Sequence, residues 1–265
     1  MTIGEKPFHQ TRSPMIIFCS NSTPGSMPNS ITDLMTTDQQ DHCTKDLKAT
    51  VQTSLPESDF YLEFSPQSSR LSLKRNQSNE HGIFVDFESD EQKYKQQRIS
   101  SGKDLLARAI GVEPGISICD LTLGLAGDAF KLCYFGAQVV GFEKNEFVWA
   151  LVKNATWRWN QTNKPLLLNS INDDSTSAPF ANAEVFYLDP MFNLVRTALP
   201  RKGMQYLDQI TAPTAEKELE VILVGLKEAK KKLVVKRALK SDWLCGYKPS
   251  RSVEGKMVRF DIYGH

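Results

Sequence analysis

Three groups of residues in this 265-residue sequence have the types and spacing to do chemistry. The first is the stretch Ile116 to Phe130, in which Ile116 and Ile118 alternate up to Asp120, a small-residue loop follows (Gly124, Ala126, Gly127), and Ala129, Phe130 and Leu132 resume an apolar run. That is the pattern of a strand, a glycine loop and a helix. In an open α/β sheet such a loop lies at the carboxyl end of a strand, where glycines let the backbone approach a ligand and a helix N-terminus faces it. The same glycines also serve tight packing of a strand on a helix, so the loop by itself does not decide between the two. The second group is Glu143, at the end of the buried run Gly136 to Phe142 and 23 residues past Asp120. A carboxylate about 20 residues beyond such a loop is where these folds accept hydrogen bonds from ribose hydroxyls. Its competing role is to cap the helix that starts at Asn145. The third is Asp189-Pro190-Met191-Phe192, which follows the apolar run Glu184 to Leu188. An enzyme that methylates an exocyclic amine must accept hydrogen bonds from its N–H groups and hold the base plane still. Asp189 can accept, Pro190 fixes the backbone, and Phe192 can stack on the base. Asp-Pro also opens ordinary turns. Its register with Gly124 and Glu143 on one sheet edge is what favours chemistry.

The elements that must position these groups read as strands alternating with helices. Strands are expected at Ile116–Ile118 and on to Asp120, at Gly136–Phe142, Leu166–Leu168, Glu184–Leu188, Leu233–Val235 and Met257–Tyr263, the last after a turn at Glu254-Gly255. Helical faces are expected over Asn145–Trp159 and Glu218–Lys231. This predicts an α/β fold with a doubly wound, mostly parallel sheet and an antiparallel edge, spanning residues 101–265. The tryptophans Trp149, Trp157 and Trp159 on one helix read as core rather than as a stacking platform. Ahead of the sheet, Phe60–Phe64, Arg70–Lys74 and Gly82–Phe87 read as short strands, and Ser89–Arg98 and Gly102–Ile110 as helices. Residues 60–100 are therefore expected to form a small β-rich subdomain. Residues 1–59 are rich in Ser, Thr, Asn, Asp, Gln and Pro without a sustained period. They are expected to be mostly disordered, so that removing Met1 to about Ser54 would cost little stability.

Charge is distributed unevenly. From Pro190 onward there are 15 Lys and Arg against 8 Asp and Glu, and before it 17 against 23, although the whole chain carries only +1. Such asymmetry fits a nucleic-acid partner. Arg196, Arg201 and Lys202 follow the Asp-Pro loop and Lys236-Arg237 fall at a neighbouring strand end, where they could neutralise phosphates. The run Lys230 to Lys232 reads as a solvated helix end. The five cysteines form no Cys-x-x-Cys and no Cys/His cluster, so no metal site and no disulfide framework are expected, and a reducing cytoplasm is. The apolar run Met15 to Cys19 is too short for a signal-peptide core or a membrane span. A nicotinamide dinucleotide is disfavoured because the loop lacks the full Gly-x-Gly-x-x-Gly pattern.

Taken together, Asp120 to Phe130, Glu143-Lys144-Asn145, Tyr187 to Phe192, Val234 to Arg237 and Arg259-Phe-Asp-Ile-Tyr263 resemble the bacterial small-subunit ribosomal RNA (guanine-N2)-methyltransferase J family. The resemblance covers roughly Phe60 to Gly264. It implies a class I, seven-stranded-type fold that uses S-adenosyl-L-methionine as cofactor and methylates the exocyclic N2 of a guanine in 16S rRNA. The implied partner is rRNA or the ribosomal subunit, with a monomer favoured and no membrane. Carried over by position, cofactor contacts fall on Gly127, Asp128, Glu143, Lys144, Ile171, Asn172 and Asp189, alongside Asp120 and Gly124 from the loop itself. The family loop reads Gly-Leu-Gly-Arg-Asp, whereas here it is Gly124-Leu-Ala-Gly-Asp128, and the family's serine pair after the third strand is here Ile171-Asn172 or, in a register two residues earlier, Asn169-Ser170. Two other readings of the same residues are an amino-methyltransferase for another base or a protein amide, and a methyltransferase-like protein that only binds rRNA.

Overall fold

The computed structural model describes residues 15–20, 35–78, 82–177, 182–190, 209–211 and 215–264. Two sheets are present among them. The larger consists of β5 (Ser117–Asp120), β6 (Gln138–Phe142), β7 (Leu168–Ile171), β8 (Val185–Leu188), β9 (Lys232–Ala238), β10 (Arg251–Glu254) and β11 (Val258–Tyr263). Their order is β10-β11-β9-β8-β5-β6-β7, with every pair from β9 to β7 parallel and both β11 pairings antiparallel. A parallel strand needs helices on both faces, and β8 shows the consequence: Val185, Phe186, Tyr187 and Leu188 are all buried. One face is covered by α4 (Gly127–Tyr134) and α5 (Glu146–Thr162), through Phe130, Leu151, Val152 and Ala155 packed with Ile118, Val139 and Leu168. The other face receives α6 (Glu216–Glu228), whose Leu219, Ile222, Leu223 and Leu226 pack on Phe186, Leu188, Leu233 and Val235. The chain leaves β5 toward β6 on one side and reaches β8 on the other. That reversal opens a crevice at the carboxyl ends of β5 and β8.

The smaller sheet corrects the expectation for the N-terminal residues. It contains β1 (Met15–Cys19), β2 (Ala49–Gln52), β3 (Phe60–Ser65) and β4 (Arg70–Arg75) in the order β2-β1-β3-β4. Residues 15–20 and 35–59 are thus folded, not disordered, and the apolar run Met15–Cys19 is a central strand paired in parallel with β2 and β3. Short strands carry little periodic signal of their own, and the partners that order β1 lie 30 to 50 residues away. Between β1 and β2, α1 (Thr37–Asp41) opens on a reciprocal cap: Gln39 N–H donates to Thr36 Oγ1 and Thr36 N–H donates to Gln39 Oε1. A π-helical turn follows at His42–Asp46. The sheet is fastened to α5 by side chains. Buried Asn154 accepts from Leu71 N–H at 3.0 Å and donates to Ser69 O at 3.2 Å, and the buried His42 ring stacks on Trp157 with centroids 4.5 Å apart.

Other departures are local. Gly82–Phe87 is not a strand: it makes one bridge, Ile83 to Leu73, before Asp86 caps α2 (Phe87–Gln96) by accepting from Ser89 N–H. The second helix is α3 (Leu105–Ile110), begun one residue after its Asp104 cap rather than at Gly102. β7 starts at Leu168, where its predicted run ended. β10 was not foreseen, because Arg-Ser-Val-Glu has one apolar residue and is an exposed edge. Trp159 is buried and packs edge-on against Phe130, and Trp149 donates to Ser170 O, as expected of core aromatics.

Candidate active site

The glycine loop crosses the end of β5 and lies on the end of β6. Gly124 has φ +52°, and Leu123 packs so closely on Gly141 that a Cβ there would meet Leu123 Cδ1 at 2.5 Å. A side chain at 141 would force Leu123 to move. Ala126 is the N-terminal cap of α4 with φ 60° and ψ 22°, the left-handed region. The resembled family has glycine here, and an alanine methyl in that conformation costs about 1 kcal/mol. The methyl is buried, with 1% of Ala126 exposed, so packing offsets part of the strain.

Glu143 follows β6 and ties the loop to the next helix. One carboxylate oxygen accepts from Gly124 N–H at 3.1 Å and the other from Asn145 N–H at 2.7 Å. Asn145 in turn caps α5 by accepting from Phe147 and Val148 N–H, and donates to Ile210 O at 2.7 Å. Burial raises the Glu143 carboxyl above its ordinary range, and the two backbone donors and Lys144 work against that rise. Beside Glu143 is a cavity of about 340 Å³, within the range for small-molecule sites. Leu121, Phe142, Val148 and Ile210 give it apolar walls; Gly124, Glu143, Lys144, Asp173, Asp174 and Asp189 give it polar ones.

Asp189 follows β8, on the same edge. Its backbone N–H donates to Thr122 Oγ1 at 2.6 Å, so the Asp-Pro segment is fastened directly to the glycine loop. Its Oδ2 accepts from Lys236 Nζ at 2.9 Å. The same ammonium donates to Asp128 Oδ2 at 2.8 Å, and Tyr187 Oη donates to that oxygen at 2.7 Å. Pro190 is buried behind them.

The profile of the family described as "Putative SAM-dependent methyltransferase" matches residues 46–265. The chain is 32% identical over 192 residues to the ribosomal RNA small subunit methyltransferase J of Hydrogenovibrio crunogenus, covering 68% of this chain and 69% of that protein. It is 30% identical over 225 residues to the protein of the same name from Aeromonas salmonicida, covering 80% and 88%. The chain belongs to the ribosomal RNA small subunit methyltransferase J family. The crystal structure of a SAM-dependent methyltransferase from Neisseria gonorrhoeae shares the fold, with a TM-score of 0.69, 22% identity, and coverage of 94% of this chain and 96% of that one.

Members of this family are S-adenosylmethionine-dependent enzymes, and the cavity fits that cofactor. Each Glu143 oxygen has one backbone donor and keeps capacity for a second, so the carboxylate can still accept from two vicinal hydroxyls. The apolar walls suit a flat base. Glu143→Ala should weaken S-adenosylmethionine binding by about 1.5–3 kcal/mol, the worth of charged hydrogen bonds. Calorimetry on the folded variant tests this, and unchanged affinity would remove Glu143 from the role.

The structure gathers Gly124, Glu143, Lys144 and Asp189 of the expected cofactor set around the cavity. The other expected residues do not line it. Gly127 opens α4 on the surface and Asp128 is taken up by Tyr187 and Lys236, neither being part of the cavity wall. Ile171 ends β7 paired with Phe142 and accepts from Glu143 N–H at 3.0 Å, and Asn172 donates to Glu143 O at 2.9 Å, so both adjoin the wall without lining it. Lys236 and Arg237, expected at RNA phosphates, both have partners within the chain. Lys236 is engaged by two carboxylates, and Arg237 is buried with its guanidinium donating to Asp242 O. Alternation along β9 puts Arg237 on the face of the sheet opposite to Lys236. Phe192, Arg196, Arg201 and Lys202 lie outside the described residues. Thr122, Asn145 and Tyr187 were missed as contributors, since a lone Thr, Asn or Tyr carries no signal of its partners. Among the described residues no group of three or more metal-ligating side chains occurs, and no helix is long and apolar enough to cross a membrane.

Asp120 is buried beneath the cavity rather than lining it. Burial pushes its carboxyl from 3.8 up to about 8, opposed by the Thr122 N–H it accepts from and assisted by the charges of Asp128 and Asp189. The folded state therefore holds a proton that the unfolded chain has lost across roughly pH 4 to 8. Stability contributed by this group falls as pH rises through that window, with a slope of up to about 1.4 kcal/mol per pH unit. Asp120→Asn should flatten the slope in denaturant unfolding at pH 5, 6.5 and 8. An unchanged slope would mean that Asp120 is ionised in the fold.

Proposed function

We propose that this enzyme transfers the methyl group of S-adenosylmethionine to the exocyclic N2 of a guanine in small-subunit rRNA. The observation that carries the reading is Asp189: its carboxylate sits at the mouth of the cofactor cavity with Oδ2 held by Lys236, and among the described residues Oδ1 has no hydrogen-bond partner. Relatives that share this chain's sequence across two thirds or more of their length carry the name of small-subunit rRNA methyltransferases, which supports the acceptor class. Bound S-adenosylmethionine supplies an electrophilic methyl on a sulfonium.

The residues have the remaining work. An exocyclic amine conjugated to a base is a weak nucleophile, so the site must orient its lone pair rather than ionise it. Asp189 accepts from one N–H of the amine, which fixes the nitrogen, and the Thr122 and Pro190 contacts fix Asp189. The nitrogen becomes acidic only as it gains positive charge, and its proton can then pass to Asp189 or to water. Phe192 is assigned the stacking role, and Arg196, Arg201 and Lys202, which follow in the chain, the phosphate contacts. The reading places the protein in the cytoplasm with its rRNA, acting as a monomer.

The test is methyl transfer from labelled S-adenosylmethionine by the full chain to small subunits and to naked rRNA from a strain lacking the enzyme, followed by nucleoside mass spectrometry. N2-methylguanosine is the expected product. Label on another nucleoside or on ribosomal protein would replace the acceptor, and binding without transfer would leave an rRNA-binding protein.

A further inference from the structure

Lys236 lies on β9, one strand beyond the Asp-Pro segment, and its ammonium sits between Asp128 at the start of α4 and Asp189 at the end of β8. Asp128 is itself held by the hydroxyl of the buried Tyr187. The glycine-loop helix, β8 and β9 thus meet at one ammonium. Side chains of Lys236 and Asp189 remain 28% and 39% exposed, so this is a partly open cluster at the mouth of the site and not a core ion pair. Without Lys236, two carboxylates would face each other across the space it fills.

We propose, resting on the methyl-transfer reading above, that Lys236 is a positioning residue: by gripping Oδ2 of Asp189 against the α4 anchor, it presents Oδ1 as the acceptor for the amine N–H. Three observations favour this over phosphate binding. The ammonium already has two charged partners at 2.8 and 2.9 Å, so two of its three N–H groups are taken and a phosphate would have to approach it past two carboxylates. The pair it grips includes the residue best placed for chemistry. Asp128, expected to touch cofactor, instead has its Oδ2 used by Tyr187 and Lys236. Burial pushes the Asp189 carboxyl above its ordinary range and the Lys236 ammonium opposes that push, so the same contact favours the ionised form that accepts.

The decisive comparison uses Lys236→Met, Asp128→Asn and the double variant, each in the full chain. With wild-type transfer as the control for the acceptor reading, Lys236→Met should lower kcat on the order of 10²-fold, the cost of roughly 1 Å of misplacement. The dissociation constant for S-adenosylmethionine and the KM for RNA should change by less than about threefold. The acidic limb of the pH–rate profile should move to higher pH. Adding Asp128→Asn should restore the melting temperature lost with Lys236→Met, by removing the unbalanced charge, but not kcat.

A readout independent of turnover is the Asp189 carboxyl titration, followed by carbon NMR and assigned with Asp189→Asn; it should occur at higher pH in Lys236→Met than in the wild type. The proposal is overturned if that titration does not move, if kcat stays within about threefold of wild type, or if the double variant recovers kcat. It is equally overturned if the loss falls on RNA KM with a weaker salt dependence, which would return Lys236 to phosphate binding. Absence of transfer by the wild type would reject the acceptor reading alone, and the titration would still decide what Lys236 does to Asp189.

Discussion

Asp189→Ala should lower methyl transfer on the order of 10²–10³-fold, the range for removing one preorganised hydrogen-bonding group from a reacting centre. S-adenosylmethionine binding should survive with a loss of about tenfold or less, because Glu143, Gly124 and the apolar walls of the cavity remain. RNA binding should be nearly unchanged, since one acceptor hydrogen bond is a small part of an interface dominated by phosphates. The carboxylate is not needed as a strong base, so Asp189→Asn, which keeps an acceptor oxygen, should retain more activity than Asp189→Ala. Single-turnover transfer with saturating cofactor reads the chemical step, and calorimetry reads binding. If Asp189→Ala transferred methyl at near wild-type rate while folded, Asp-Pro would be only a turn and the acceptor site would lie elsewhere. The removal of Asp189 has a second expected consequence: among the described residues Lys236 keeps only Asp128 as a charged partner.

The main sheet was legible because its parallel strands are short apolar runs separated by helices and bounded by glycine, proline and caps, β8 being buried on both faces. Ser117–Asp120, Gln138–Phe142 and Val185–Leu188 fall inside or within a residue of the runs that announced them. The site was legible where position alone defines a role. Glu143 and Asp189 end strands that point at one crevice, so knowing the fold places them. It was not legible where a role depends on what a side chain meets. Lys236 and Arg237 are adjacent cations at a strand end, and nothing in their order says that one is gripped by Asp128 and Asp189 while the other turns inward to Asp242. Likewise Ile171 and Asn172 follow from the family's alignment, yet the structure uses Asn172 to support the Glu143 backbone.

The N-terminal residues show the opposite limit. Met15–Cys19 sits between long polar stretches, and read locally it is five apolar residues with no period to extend. Its order comes from pairing with Ala49–Gln52 on one side and Phe60–Ser65 on the other, contacts that no window spans. Deleting residues 1–54 should therefore destabilise the protein markedly, against the expectation from composition. The deletion removes β1 and β2 and with them the buried Met15, Ile17, Cys19, Met35, Cys43 and Leu47. Their burial contributes about 1.5–3 kcal/mol for each large side chain as an upper bound, of which part is returned as the entropy of residues no longer ordered. The truncated chain would also expose Leu62 and Phe64, and leave β3 as an unpaired edge. A net loss of several kcal/mol should lower the melting temperature by about 10 °C or more, at roughly 2–4 °C per kcal/mol for a domain of this size. Ile17→Ala in the full chain, at a cost of about 2–5 kcal/mol, provides a version that keeps the chain intact. A truncated protein that melted within about 2 °C of the full chain would show that β1 and β2 pack without contributing to the stability of the catalytic sheet. A large shift would instead tie that sheet to them through Asn154 and the His42–Trp157 stack on α5.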